Sequence, residues 1–219
     1  MNLPKRSYSS PVRAQQARLT RRRILEAATA LIAADGYAST TVAAVASAAG
    51  VSPQTVYNAF TDKPTLLKAA YDVAIAGDDE PTPLAERPEV KALYELTDPA
   101  DFLHGYAALG RTLLDRMGAL ALQLAAGAAN GDPDLIAHVE VTDEERAIGT
   151  LFVVRRVDAL GALAPGLSLE RARDRIWTLN SVHVWHLLTS GRGWSGDEYQ
   201  EWIGDAMCDA ILLRRCPGR

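Results

Sequence analysis

With 219 residues, 48% of them hydrophobic, the chain is long enough to bury a core and too apolar to be disordered throughout. Its two cysteines, Cys208 and Cys216, match neither a CxxC redox pair nor a zinc knuckle. The N-terminus lacks the apolar core of a signal peptide, and the longest apolar run, from Met117, carries Gln123 and is too short for a bilayer, so a soluble cytoplasmic protein is expected.

The formal net charge of −4 is unevenly spread. Residues 1–76 hold nine Lys or Arg against four acids, a net +5, which leaves −9 for residues 77–219. An acidic protein with a basic front end meets a polyanion, if it meets one, with that front end. Residues 1–18, with Arg13 and Arg18, read as a basic flexible arm.

From Leu19 the run LTRRRILEAATALIAADGY repeats Ile24, Leu25, Ala28, Leu31 and Ile32 at helical spacing and stops at Gly36. A second short helix is capped by Thr40 or Thr41, has Val42 and Val45 on its inner edge and ends at Gly50. Only Val51 separates that glycine from the next start signal. Ser52 can accept from orphan amides, and Pro53 suits a first helical position. Val56 and Phe60 then point inward, and Gln54, Thr55, Tyr57 and Asn58 largely outward. A longer amphipathic helix follows from Asp62 or Lys63.

Two short helices about a tight glycine turn make a helix-turn-helix. A small, polar, uncharged front on the second helix suits approach to a DNA groove, because apolar side chains would leave base edges unpaired and acids would repel phosphate. The same spacing also fits an ordinary helical hairpin with a solvated face.

The stretch RRRILEAATALIAADGYASTTVAAVASAAGVSPQTVYNAFTDKPTLLKAAY, with its GYxxTTV, AGVS and TVYxxF segments in order, resembles the tetracycline-repressor (TetR) family of bacterial transcription regulators. The resemblance implies an all-α fold, with a helix-turn-helix domain over residues 19–76 and a larger helical effector-binding and dimerisation domain over 77–219. It implies a recognition helix from Pro53 to Asn58. Thr41, Ser52, Thr55, Tyr57 and Lys63 then match phosphate-contacting positions, and Gln54, Thr55 and Asn58 match base-reading ones. Ala59 and Pro64 depart from the family pattern.

Residues 77–89 contain three prolines and read as a linker. Beyond it, helices are expected over about 89–96, 99–130 (with a break near Gly118 or Gly127), 133–161, 168–190 and 196–215, with no strand. Apolar stripes on the last two are wider than one core needs, so Trp177, Val184, Leu188, Trp202, Ala206 and Ala210 are candidates for a dimer interface. Phe102, Tyr106, Leu109 and Leu113, with Gln123, Arg155 and Asn180 as polar anchors, are candidates for an effector pocket, mostly apolar. His183 and His186 lack a carboxylate companion, so no metal and no cofactor is expected.

No nucleophile elbow, phosphate loop or dinucleotide fingerprint argues for an enzyme. The expected function is a homodimeric regulator, a repressor released from a palindromic operator by a hydrophobic or amphipathic small molecule. Its partners would be double-stranded DNA, that effector and a second copy of the chain, with no membrane. The alternatives are a DNA-bound structural or division factor that ignores small molecules, and a helical enzyme.

Overall fold

The computed structural model describes residues 11–78, 80 and 82–213. The described residues form ten α-helices and no strand, and they divide into two compact units, 1–73 and 74–219.

The first unit is built from α1 (Pro11–Asp35), α2 (Val42–Ala48), α3 (Pro53–Ala59) and most of α4 (Lys63–Ala76). Ile24, Leu25 and Ala28 of α1 close a core with Val45, Ala46, Val56, Phe60, Leu66 and Ala70. Two-turn helices such as α2 and α3 are not stable alone, so burial of these few apolar faces holds them. Helix α1 starts at Pro11, well before Leu19, because nothing in VRAQQARLT breaks a helix already fixed further along. The part of the expected arm at residues 1–10 lies outside the described residues; residues 13–18 are helical.

The second unit contains a short 3₁₀ turn (Leu84–Glu86), α5 (Pro88–Glu95), α6 (Pro99–Ala129), α7 (Pro133–Ala159), α8 (Leu169–Leu179), α9 (Val182–Arg192) and α10 (Gly196–Ile211). Phe102, Leu103, Val154, Val157, Ile176, Tyr199, Ile203 and Met207 form its core. The stretch read as a linker is tied down: Arg87 is buried and forks both oxygens of Asp78 at 2.7 Å.

Three expectations are corrected. Helix α6 runs unbroken through Gly118 and Gly127, because these glycines are close-approach points: a Cβ at Gly118 would lie 2.5 Å from Trp185, and one at Gly127 would collide with Leu135. The packing outweighs the helix cost of glycine, about 1 kcal/mol. The expected helix over 168–190 is two. Asn180 ends α8 by sending its side chain to the Tyr106 hydroxyl at 2.9 Å, and Ser181 caps α9 by accepting from Val184. Arg146 takes up the Trp177 carbonyl left at the break (2.5 Å). Finally, α10 stops at Ile211, because Leu212 pairs with Leu163 in a single antiparallel bridge.

Candidate nucleic-acid interface

The helix-turn-helix begins with α2, whose cap Thr41 accepts from the Ala44 amide at 3.1 Å. Its C-terminal turn passes through Gly50 at φ +64°, a left-handed conformation that side chains other than glycine's rarely adopt. Arg23 from α1 fastens this turn by donating to the Ala49 carbonyl at 2.6 and 3.1 Å and to that of Gly50 at 3.2 Å. A cation at the negative end of a helix is favourable for the same reason. Ser52 then caps α3, accepting from the Thr55 amide at 3.1 Å and sharing a hydroxyl contact with Thr55 at 2.9 Å. At the other end of α3, Arg21 donates to the Ala59 carbonyl at 3.4 Å and lies 4.3 Å from the centre of the Phe60 ring. Sequence reading took the arginines at 21–23 only as charges off the apolar stripe; their clamping role needs the fold.

With its ends satisfied, α3 presents an uncharged outer face. Val56 and Phe60 are buried, whereas Pro53, Gln54, Tyr57 and Asn58 are exposed and Thr55 is partly so. Gln54 Nε2 donates to Asn58 Oδ1 at 3.0 Å, which leaves the Gln54 carbonyl and the Asn58 amino group available to a partner. The two amides are thereby held in one orientation before anything binds. Thr41 and Ser52 are exposed beside them. Lys63 opens α4 with its ammonium 3.9 Å from the centre of the Tyr37 ring, an arrangement that fixes the cation's position by cation–π attraction. Asp62 just before it accepts from Thr65, and those hydrogen bonds hold its carboxyl below the usual range. All eight residues singled out for DNA contact are therefore at least partly exposed and lie on or beside α3.

The effector candidates divide between the core and the surface. Phe102 is fully buried core, edge-on to Tyr94; Gln123 and Arg155 are exposed, the latter over the Phe152 ring; Leu109 and Leu113 are partly buried. Tyr106 and Asn180 meet through a 2.9 Å hydrogen bond, Phe102, Tyr106 and Leu109 belong to one apolar cluster, and burial pushes the Tyr106 phenol's pKa up. Near them Arg146 lies 4.1 Å from the Trp177 ring and pairs with Asp143 at 3.1 Å. Sequence reading passed over Arg146 because a lone arginine on a long helix carries no pattern. The indole N–H groups of Trp177 and Trp185 are buried without a hydrogen-bond partner.

The dimer candidates also divide. Val184 and Leu188 are partly buried against the core, and Trp177, also partly buried, has Arg146 over its ring. Trp202 is exposed, and Ala206 and Ala210 line an open groove of about 680 Å³ between α8 and α10, with Arg171, Asp174, Arg175, Thr178, Leu179 and Asp209. No group of three metal-ligating side chains occurs among the described residues, and no described helix is long and apolar enough to cross a membrane.

Comparison with known proteins agrees with this geometry. A family profile described as "Bacterial regulatory proteins, tetR family" matches residues 24–70, the span of the helix-turn-helix and its supports. No curated protein matches the chain in sequence. Among solved structures, a TetR-family transcriptional regulator from Rhodococcus sp. is 19% identical with a TM-score of 0.69, over 88% of this chain and 98% of that one. A transcriptional regulator from Saccharomonospora viridis in complex with choline is 22% identical with a TM-score of 0.64, over 89% and 98%. NalD, the secondary repressor of the MexAB-OprM multidrug efflux pump in Pseudomonas aeruginosa, is 21% identical with a TM-score of 0.68, over 93% and 100%. Residues 24–70 thus match the DNA-binding domain of the tetR family of bacterial regulatory proteins, and the chain shares its fold with solved regulators of that family.

Proposed function

We propose that the protein is a cytoplasmic, dimeric transcriptional repressor that reads a palindromic operator with α3 and leaves it when a small molecule occupies the second unit. The observation that carries this is the outer face of α3: exposed, uncharged, capped at both ends, with two amides oriented by each other. Such a face discards favourable burial and gains nothing from charge, but it matches the donor and acceptor pattern of a major groove. Gln54, Thr55 and Asn58 read bases; Thr41, Ser52, Tyr57 and Lys63 hold phosphates; Pro53 lets the backbone come close. A two-fold pair of such helices engages half-sites about 34 Å apart, one helical turn of DNA.

The α8–α10 groove supports the pairing, since Leu179, Ala206 and Ala210 give it an apolar lining and Trp202 is exposed on the same helix, α10. In the second unit, an apolar core interrupted by Tyr106, Asn180 and the two unpartnered indole donors suits an amphipathic effector with at least one hydrogen-bond acceptor. The choline complex and the efflux-pump repressor among the structural neighbours are consistent with a ligand-responsive regulator. The chain is a regulator rather than an enzyme on this reading.

The test is selection of bound sequences from random DNA by the purified protein. A palindromic consensus bound as a dimer, and weakened by a small-molecule extract, is the expected result. Recovery of unselected sequence, or binding by a monomer, would reject the reading.

A further inference from the structure

We propose that the outward face of α7 is a second self-association surface, on which α7 of another copy of the chain packs antiparallel and joins two dimers into a tetramer. It rests on the dimer proposed above. Helix α7 buries Leu135, Val153, Val154 and Val157 against the rest of its unit, α6 and α8 foremost. Its opposite face is apolar as well. Val141, Ile148 and Phe152 recur at spacings of seven and four, on one line of the helix, and are 50%, 49% and 54% exposed. Ala137 and Ala159 extend that line at either end. Gly149, where an added Cβ would meet nothing within 4 Å, leaves room beside its centre. A solvated helix face holds polar residues; one with three large apolar side chains in a row has a partner to meet.

Charge names the partner: the same helix, reversed. Residues 133–145 hold Asp134, Glu140, Asp143, Glu144 and Glu145 and no Lys or Arg, a net −5. Residues 146–159 hold Arg146, Arg155 and Arg156 against Asp158, a net +2. The helix dipole accounts for acids in the first turn only, whereas Glu144 and Glu145 stand at mid-helix. A parallel neighbour would bring acids to acids, and the acidic half would repel an anionic membrane surface. An antiparallel copy crossing level with residue 150 sets Ile148 against Phe152 of the other copy, Val141 against Ala159 and Glu145 against Arg155. All three pairings hold in one register, because each is centred on residue 150. Arg155 lies 5.9 Å from the centre of the Phe152 ring, at the edge of the apolar line. From Ala137 to Ala159 the face is about 33 Å long and roughly 10 Å wide. That is ~330 Å² a copy, under half of the about 800 Å² per partner of a stable interface, so the contact joins copies already paired elsewhere. A tetramer made this way carries four α3 helices and can hold two operators.

The experiment is sedimentation velocity on the full-length protein over rising concentration. Wild type should pass from dimer to tetramer, with a dissociation constant on the order of 0.1 mM for so small a contact. Phe152→Arg puts a cation on the apolar line and should raise that constant at least ~10-fold, with the dimer and its melting curve unchanged. Glu145→Arg and Arg155→Glu should each weaken the tetramer too. The Glu145→Arg/Arg155→Glu double variant, its charges exchanged, should recover it, which a purely structural role for either residue would not allow. The proposal is overturned if wild type stays dimeric at about 1 mM, if Phe152→Arg sediments as wild type, or if the exchange fails to restore the tetramer. Monomers from Phe152→Arg would also overturn it, since α7 would then be the primary interface. The groove reading fails separately. If Ala206→Glu leaves the dimer intact while Phe152→Arg removes the tetramer, the groove is wrong and the α7 contact stands. If Ala206→Glu gives monomers while Phe152→Arg behaves as wild type, the α7 contact alone is wrong.

Discussion

Arg23 joins stability and function in one side chain. Its guanidinium satisfies the carbonyls of Ala49 and Gly50, and the turn they belong to sets where α3 begins. Hydrogen bonds from a charged group are worth about 1.5–3 kcal/mol each when buried, less when half open to water as here. Arg23→Ala is expected to lower the stability of the first unit by roughly 1–2 kcal/mol and to weaken operator binding beyond the loss of one charge; thermal melts and mobility shifts at matched salt check both. Gln54 and Asn58 make the opposite case, since neither supports the core. Gln54→Ala or Asn58→Ala should leave the melting temperature unchanged and alter preference at one base step by about 1–3 kcal/mol. An identical consensus from all three proteins would remove the pair from base reading. Asp78 ties stability to pH. The Arg87 fork and the Glu80 amide hold its carboxyl far below the usual range, so its folded pKa lies under the unfolded one. The clasp's contribution is then present at neutral pH and lost as pH falls below about 4. Asp78→Asn should be less stable than wild type at pH 7, and the gap should close on acidification, as followed by helical circular dichroism.

At the level of elements, α6 shows how close packing sets the fold of the second unit. Gly105, Gly110, Gly118 and Gly127 receive side chains from Leu93, Asn180, Trp185 and Leu135, which come from four different segments. Gly118→Ala is predicted to destabilise the second unit by about 1–3 kcal/mol through overpacking, and trimming the indole in a Gly118→Ala/Trp185→Leu double variant should recover part of that. Denaturant titration of the two variants checks the coupling; equal, additive losses would mean that the indole moves aside without cost. These glycines also mark where sequence reading stops. In one dimension a glycine inside an apolar helix looks like a break, and only the neighbouring ring reveals it as a seat. The same holds at Asn180, whose break depends on Tyr106 and Arg146, 74 and 34 positions away. By contrast, the helix-turn-helix was legible from Thr41 to Phe60, because its caps, its glycine and its two buried positions are all local signals. The outward face of α3 followed from that periodicity. The effector candidates were less legible, because apolar residues on a long helix are equally good core residues, and Phe102 is fully buried.

For the whole molecule, the proposed function requires a second copy of the chain. The α8–α10 groove carries Arg171 and Arg175 beside Asp174 and Asp209, so both signs lie on one patch with Ala206 and Ala210 between them. A two-fold axis that falls between the two signs would set each opposite its complement in an isologous interface. Trp202, 37% exposed and edge-on to Trp194 at 5.9 Å, and Leu213, 51% exposed, add apolar area on the same helix and just past its end. Ala206→Glu introduces two acids across a closed dimer, whereas in an isolated monomer the side chain, half-buried, lines the open groove. Like charges brought together at an interface cost several kcal/mol, so the dimer dissociation constant is expected to rise at least ~100-fold, while the monomer's melting curve stays close to its wild-type shape. Sedimentation equilibrium measures the first and circular dichroism the second. Operator affinity should then fall steeply and random-DNA affinity only slightly, because a single α3 still meets phosphates but cannot span two half-sites. A variant that remains dimeric would show that the copies meet elsewhere, and the groove would need another occupant.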